Sequence, residues 1–98
     1  MAHRVEWNQR AINDLQMIVS YYVKQGLIQA AASFNEKVRD RIDKLVNDRT
    51  VGRKALAAKT ILFVLVGKHH KLYYRKIGST IRIVCFFDTR QDPDKSPY

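Results

Sequence analysis

Lys71-Leu72-Tyr73-Tyr74-Arg75-Lys76-Ile77-Gly78-Ser79-Thr80-Ile81-Arg82-Ile83-Val84-Cys85-Phe86-Phe87 is the stretch that decides the fold. Two runs rich in β-branched and aromatic residues, Lys71–Ile77 and Thr80–Phe87, flank Gly78-Ser79, a two-residue turn signal with glycine first, and together they predict a β-hairpin. A two-residue loop sets the register: Ile77 opposite Thr80, Lys76 opposite Ile81, Arg75 opposite Arg82 and Tyr73 opposite Val84. Side chains alternate faces along a strand. One face is therefore expected to carry Leu72, Tyr74, Ile81, Ile83, Cys85 and Phe87, with Lys76 near the turn, and to lie under whatever else the chain folds. The other is expected to carry Lys71, Tyr73, Arg75, Arg82, Val84 and Phe86.

Working back from the hairpin, Gly67-Lys68-His69 turns the chain. Before it, Lys59–Val66 is continuously apolar after Thr60, which suits a strand buried on both faces or one sharing an interface. Ile61–Val66 has no charged residue, a hazard on a solvent-facing edge, so Ile61, Phe63 and Leu65 are expected to meet a partner or a second copy of the chain. Asn47–Lys54 reads as a loop around Gly52. Further upstream the period changes from two to 3.6. Ala11, Leu15, Ile18 and Tyr22 form the stripe of one helix, and Ala31, Phe34, Val38, Ile42 and Leu45 that of a second, from about Ile28 to Asn47. Gly26 ends the first helix, because glycine enters the left-handed conformation cheaply. Asn8 is its expected N-cap, with Trp7 and Ile12 at the positions of a hydrophobic staple. So short a break forces an antiparallel helical hairpin. His3–Trp7 alternates and reads as a first strand.

The fold class is α+β: an N-terminal strand, a two-helix antiparallel hairpin, then a three-stranded antiparallel meander, with the helices on one face of a mostly antiparallel sheet. Residues 1–90 form a single domain, and 91–98, marked by Pro93 and Pro97, a C-terminal tail.

Charge is distributed unevenly. Residues 49–90 hold ten Lys or Arg against one acid, Asp88, whereas the first 48 hold seven bases against six acids. The net charge of +9 therefore sits on the segment read as sheet, where it makes a field suited to an anionic partner. Arg75 and Arg82, directly opposite, repel each other. An anion gripped by both guanidinium groups relieves that repulsion, with Lys71 and Tyr73 beside them on the same face; two solvated arginines splayed apart are the alternative. Arg53, Lys54 and Arg90 extend the basic set. No Gly-rich phosphate loop, carboxylate pair or nucleophile–base motif is visible, and His69-His70 has no further ligand at metal spacing, so neither cofactor nor metal is expected. Met1-Ala2-His3-Arg4 leads straight into a periodic segment and the apolar runs are short, so neither a signal peptide nor a membrane span is expected. The single cysteine, Cys85, reads as a packed core thiol in a reducing cytoplasm.

Several stretches together resemble the ParE/RelE superfamily of bacterial type II toxins. They are Trp7-Asn8, Ala11, Asp14-Leu15, Ile18 and Tyr21-Tyr22; Phe34 through Leu45; Gly52-Arg53; Leu72 through Ile77; and Phe86-Phe87-Asp88-Thr89-Arg90-Gln91-Asp92-Pro93. The resemblance implies a toxin neutralised by an acidic antitoxin encoded beside it, in a module often described as plasmid stabilisation. ParE-like members inhibit DNA gyrase and are not nucleases. RelE-like members cleave mRNA on the ribosome with basic and aromatic residues, for which Arg75, Arg82 and Lys54 are the matching candidates here. Asp88-Thr89 stands where ribonucleolytic members often have a histidine before the terminal arginine. Their tyrosine at the end of the last strand is also missing, and Arg49 replaces the usual proline before Gly-Arg. The long helical opening and the missing histidine favour the ParE-like reading, a protein that poisons gyrase without being an enzyme. The alternatives are a ribosome-dependent endoribonuclease and a non-toxic member that only binds antitoxin. A homodimer is a further expected assembly.

Overall fold

A computed structural model describes residues 3–55, 58 and 60–98. Met1-Ala2, at the start of the chain, and Lys59, the expected first residue of the apolar strand, lie outside the described residues. The elements follow in the order β1 (Arg4–Trp7), α1 (Gln9–Lys24), α2 (Ile28–Val46), β2 (Arg53–Lys54), β3 (Leu62–Val66), β4 (His70–Ile77), β5 (Thr80–Asp88) and a 3-10 turn at Pro93–Lys95. The sheet runs β1-β5-β4-β3-β2. Among the described residues only the β1–β5 pair is parallel, and the long connection that a parallel pair needs is supplied by the helical hairpin and the three strands between them. Among the described residues no helix is long and apolar enough to cross a membrane.

The helical hairpin forms where the periodicity places it. Gly26 has φ 75°, and Ala11, Ala31, Phe34, Val38 and Leu45 are buried against Val64, Val66, Leu72, Tyr74, Ile81 and Ile83 of the sheet. Leu15, Ile18, Tyr22 and Ile42 pack at the margin of this core. Asn8 occupies the N-cap with extended backbone but makes no side-chain capping bond. Its backbone serves instead: the Asn8 N–H donates to the Ile83 carbonyl at 2.9 Å, so the residue hands the chain from sheet to helix.

The hairpin register holds from the turn as far as Tyr74 opposite Ile83, with Arg75 opposite Arg82. It then slips. Tyr73 faces Cys85, not Val84, and the extra residue in β5 is a bulge. A one-residue slip sends each later side chain to the other face. Phe86, expected on the outer face, packs in the helix-side core and stacks on Trp7 at 6.1 Å. Cys85 and Phe87, expected under the helices, join Tyr73, Val84, Ala55, Ile61 and Phe63 in a second, smaller core on the outer face. β1 ends opposite Ile83, so among the described residues the β5 edge beyond it has no strand partner. α1 covers it: the Phe86 N–H donates to the Asp14 carboxylate at 3.0 Å.

Two further expectations are corrected. The loop read at Asn47–Lys54 contains β2, which pairs Arg53 with Phe63 and Lys54 with Leu62. Gly52 makes this possible, because its N–H donates to the Tyr74 hydroxyl at 2.8 Å and an added Cβ would lie 2.7 Å from the Phe63 carbonyl oxygen. The apolar strand is not buried on both faces either: Val64 and Val66 are covered by the helices, while Leu65 on the opposite face is 46 % exposed.

Candidate functional site: the basic outer face of the sheet

Strand alternation and register decide which cations share a face. Ile81 and Ile83 pack under the helices, so Arg82 between them points outward, as does Arg75 opposite it. On β1, Val5 and Trp7 pack against the helix-side core, which leaves Arg4 and Glu6 on the outer face. Glu6 is in register with Arg82, and its Oε2 accepts from Arg82 Nη2 at 2.9 Å. A row Glu6–Arg82–Arg75 therefore crosses three adjacent strands. The repulsion expected of the paired arginines is already relieved in part by a carboxylate of the chain itself. Arg75 is exposed and makes no ion pair among the described residues.

The rest of the outer face is less open than the sequence suggests. Tyr73 is 1 % exposed, lying between Phe63 at 5.9 Å and Tyr98 at 5.3 Å between ring centroids, with its hydroxyl 3.2 Å from Ser96 Oγ. It cannot stack on a ligand while the tail lies over it. Lys71 lies along the same face with its Nζ 4.5 Å from the centre of the Phe63 ring, an arrangement that shares its charge with the ring quadrupole. Arg53 opposes Phe63 and is exposed on this side. Lys54 pairs with Leu62, a residue of the helix-side core, so it belongs to the opposite face from Arg75 and Arg82. Of the residues expected to meet a partner, Ile61 is buried in the chain's own second core, Phe63 is half-buried there, and Leu65 is exposed. β2 protects the outer edge of β3 at Leu62 and Phe63, and no pairing of Val64–Val66 on that side exists among the described residues.

Arg90 is elsewhere. It folds back on Asp88, donating from Nε and Nη2 to the two carboxylate oxygens at 3.1 and 2.8 Å, while its N–H also bonds Oδ1 at 2.9 Å. This clamp holds the Asp88 carboxyl down at a pKa of about 2 despite partial burial. The pair lines a cleft of about 560 Å³ between α1 and the end of β5, floored by Ile18, Tyr22 and Phe86 and rimmed by Arg10 and Tyr21. His70 sits at its base, 5 % exposed, edge-on to Phe34 at 4.8 Å, and burial lowers its pKa. Burial also pushes the Cys85 thiol up to about 11, so it is a packing group and not a nucleophile.

The basic residues thus divide into an open patch of Arg4, Arg75 and Arg82 around Glu6, a tail-covered aromatic region flanked by Lys71 and Arg53, and a separate Arg90–Asp88 clamp. Glu6, Asp14, Ser96 and Tyr98 were not legible as parts of these arrangements, because each acts across 20 or more residues through a pairing that only the assembled sheet creates.

The ParE toxin family of type II toxin–antitoxin systems (parDE) matches residues 5–93. No curated protein sequence matches significantly. Three solved structures share the fold. The chromosomal ParDE toxin–antitoxin system from P. aeruginosa has a chain of TM-score 0.73 and 18 % identity, covering 89 % of this chain and 96 % of that one. The E. coli DinJ-YafQ toxin–antitoxin complex has one of TM-score 0.66 and 11 % identity, covering 92 % and 96 %. The YoeB/ParE toxin from Agrobacterium tumefaciens gives 0.63 and 13 %, covering 87 % and 96 %.

Proposed function

The chain belongs to the ParE family of toxins of type II toxin–antitoxin systems, and from that premise we propose that it inhibits DNA gyrase by binding through the Arg75–Arg82 patch and is neutralised by an acidic antitoxin. The observation that carries the choice of target is the dispersal of the groups an mRNA endoribonuclease would need to gather around one phosphate. Lys54 faces away from the arginines, Arg82 is held by Glu6 and Tyr73 is buried under Tyr98. Stabilising a pentavalent phosphate requires pre-aimed donors converging on one point. Docking on a protein surface requires only exposed arginines, which are favoured anchors at such interfaces.

The antitoxin is acidic by charge complementarity with a chain of net charge +9. It covers the outer edge of β3 at Val64–Val66, where no strand pairing exists among the described residues and Leu65 is 46 % exposed. A supercoiling assay with purified gyrase, run beside ribosome-programmed mRNA cleavage, tests the target. The expected result is loss of supercoiling with intact mRNA. Cleaved mRNA with normal supercoiling overturns the gyrase reading in favour of a RelE-like endoribonuclease.

A further inference from the structure

At the turn end of the outer face, two adjacent rows bring three arginines around one glutamate: Arg4 beside Thr80, and Glu6–Arg82–Arg75 across β1, β5 and β4. The Arg82 and Glu6 side chains are 41 % and 46 % exposed, and an ion pair so placed contributes little to stability. Fold stability therefore does not account for an acid in the middle of the basic patch.

We propose that Glu6 sets the specificity of the patch, so that it accepts the isolated carboxylates of an acidic protein segment and disfavours the continuous phosphate backbone of nucleic acid. This rests on the reading of the outer face as a protein-docking surface. Glu6 itself displays the chemistry that Arg82 takes, a carboxylate on one guanidinium nitrogen at 2.9 Å. Arg75 stands opposite Arg82 with its guanidinium uncommitted among the described residues, and suits a second carboxylate. Ile77, two residues along the same face and 43 % exposed, offers an apolar contact beside it, which a protein segment can use and a phosphate backbone cannot. A polynucleotide laid across the patch meets phosphate after phosphate. It must pass the Glu6 carboxylate, and it finds Arg82 already neutralised. Removing the acid charge leaves the same three arginines as an unbroken cationic patch.

The test measures binding of a labelled single-stranded RNA and a labelled DNA duplex by fluorescence anisotropy over a salt series, using the intact protein, Glu6→Gln, Arg82→Gln and the double variant. Glu6→Gln is expected to tighten binding to both nucleic acids by about threefold or more near 0.1 M salt. It should also steepen the dependence of log K on log salt, by roughly 0.7 for the single strand and roughly 0.9 for the duplex, the amounts expected for one freed cation. Arg82→Gln should abolish that gain in the double variant. Unchanged affinity and slope in Glu6→Gln with an unaltered circular dichroism spectrum overturn the proposal, as does wild-type protein that already binds RNA as tightly as the variant. If Glu6→Gln is poorly folded, Glu6→Thr, a neutral residue favoured in strands, takes its place alone and with Arg82→Gln, with the same expected and overturning outcomes. Failure of the gyrase reading shows in the supercoiling assay and leaves these outcomes untouched.

Discussion

At the residue scale, three acids determine what the surplus of bases can do, and each is engaged by a different structural problem. Asp14 accepts the Phe86 N–H on the edge of β5 that β1 does not reach. An unsatisfied, partly buried amide costs about 1–3 kcal/mol, so Asp14→Ala is expected to lower stability by that amount in denaturant titration while Asp14→Asn retains part of it. Asp88 is clamped by Arg90, which lowers its pKa to about 2 from the ordinary 3.8. Because the folded value is the depressed one, the pair's contribution is fully present above about pH 4 and is lost as pH falls toward 2. In Arg90→Ala the Asp88 carboxyl, followed by NMR, is expected to titrate nearer the ordinary carboxylate range; an unmoved titration would mean that Arg90 does not hold it. Glu6 neutralises Arg82. The charge imbalance and the Arg75–Arg82 pairing were both visible in the sequence, since one comes from composition and the other from a two-residue turn. The partner carboxylate was not, because the parallel β1–β5 pairing links residues 76 positions apart.

At the element scale, the hairpin shows how far local rules reach. From Gly78, with φ 57°, they fix the register over four residue pairs, Ile77–Thr80 to Tyr74–Ile83. They fail at Val84, the extra residue that turns Phe86 to the helix-side core and Cys85 to the outer one. No local signal marks that bulge: a β-branched residue in a run of β-formers reads as regular strand. The helices were legible because their stripes recur over several turns. β2 was not, being two residues held by Gly52 and the Tyr74 hydroxyl. Gly52→Ala is accordingly expected to cost more than the usual surface substitution, about 1–3 kcal/mol, because the new methyl group meets the Phe63 carbonyl and overpacked sites cannot relax freely. A melting temperature equal to wild type would show that β2 yields without cost. For β3, hydrogen exchange should slow across Val64–Val66 when antitoxin is added, and unchanged protection there would place the antitoxin elsewhere.

At the scale of the whole molecule, the two faces of the sheet are assigned to different tasks. One is closed by the helical hairpin over the larger core, and the other is divided between a small aromatic core under Tyr98 and an open arginine patch. The toxin family was legible in the sequence because its residues are spread over nearly the whole chain, and the match over residues 5–93 agrees with that reading. The pairing of Arg75 with Arg82 was legible from the turn, but the separation of Lys54 to the opposite face and of Arg90 to its own clamp was not, because a sum of charges carries no direction. The proposed engagement of gyrase by the open patch is tested by Arg75→Ala combined with Arg82→Ala in a supercoiling titration against wild type. Circular dichroism serves as the folding control, since both side chains lie outside the core. The double variant, still folded, is expected to require about tenfold or more protein to reach the same inhibition, as for loss of interface arginines. Equal inhibition by the two proteins would contradict it and move the binding surface away from the outer face of the sheet.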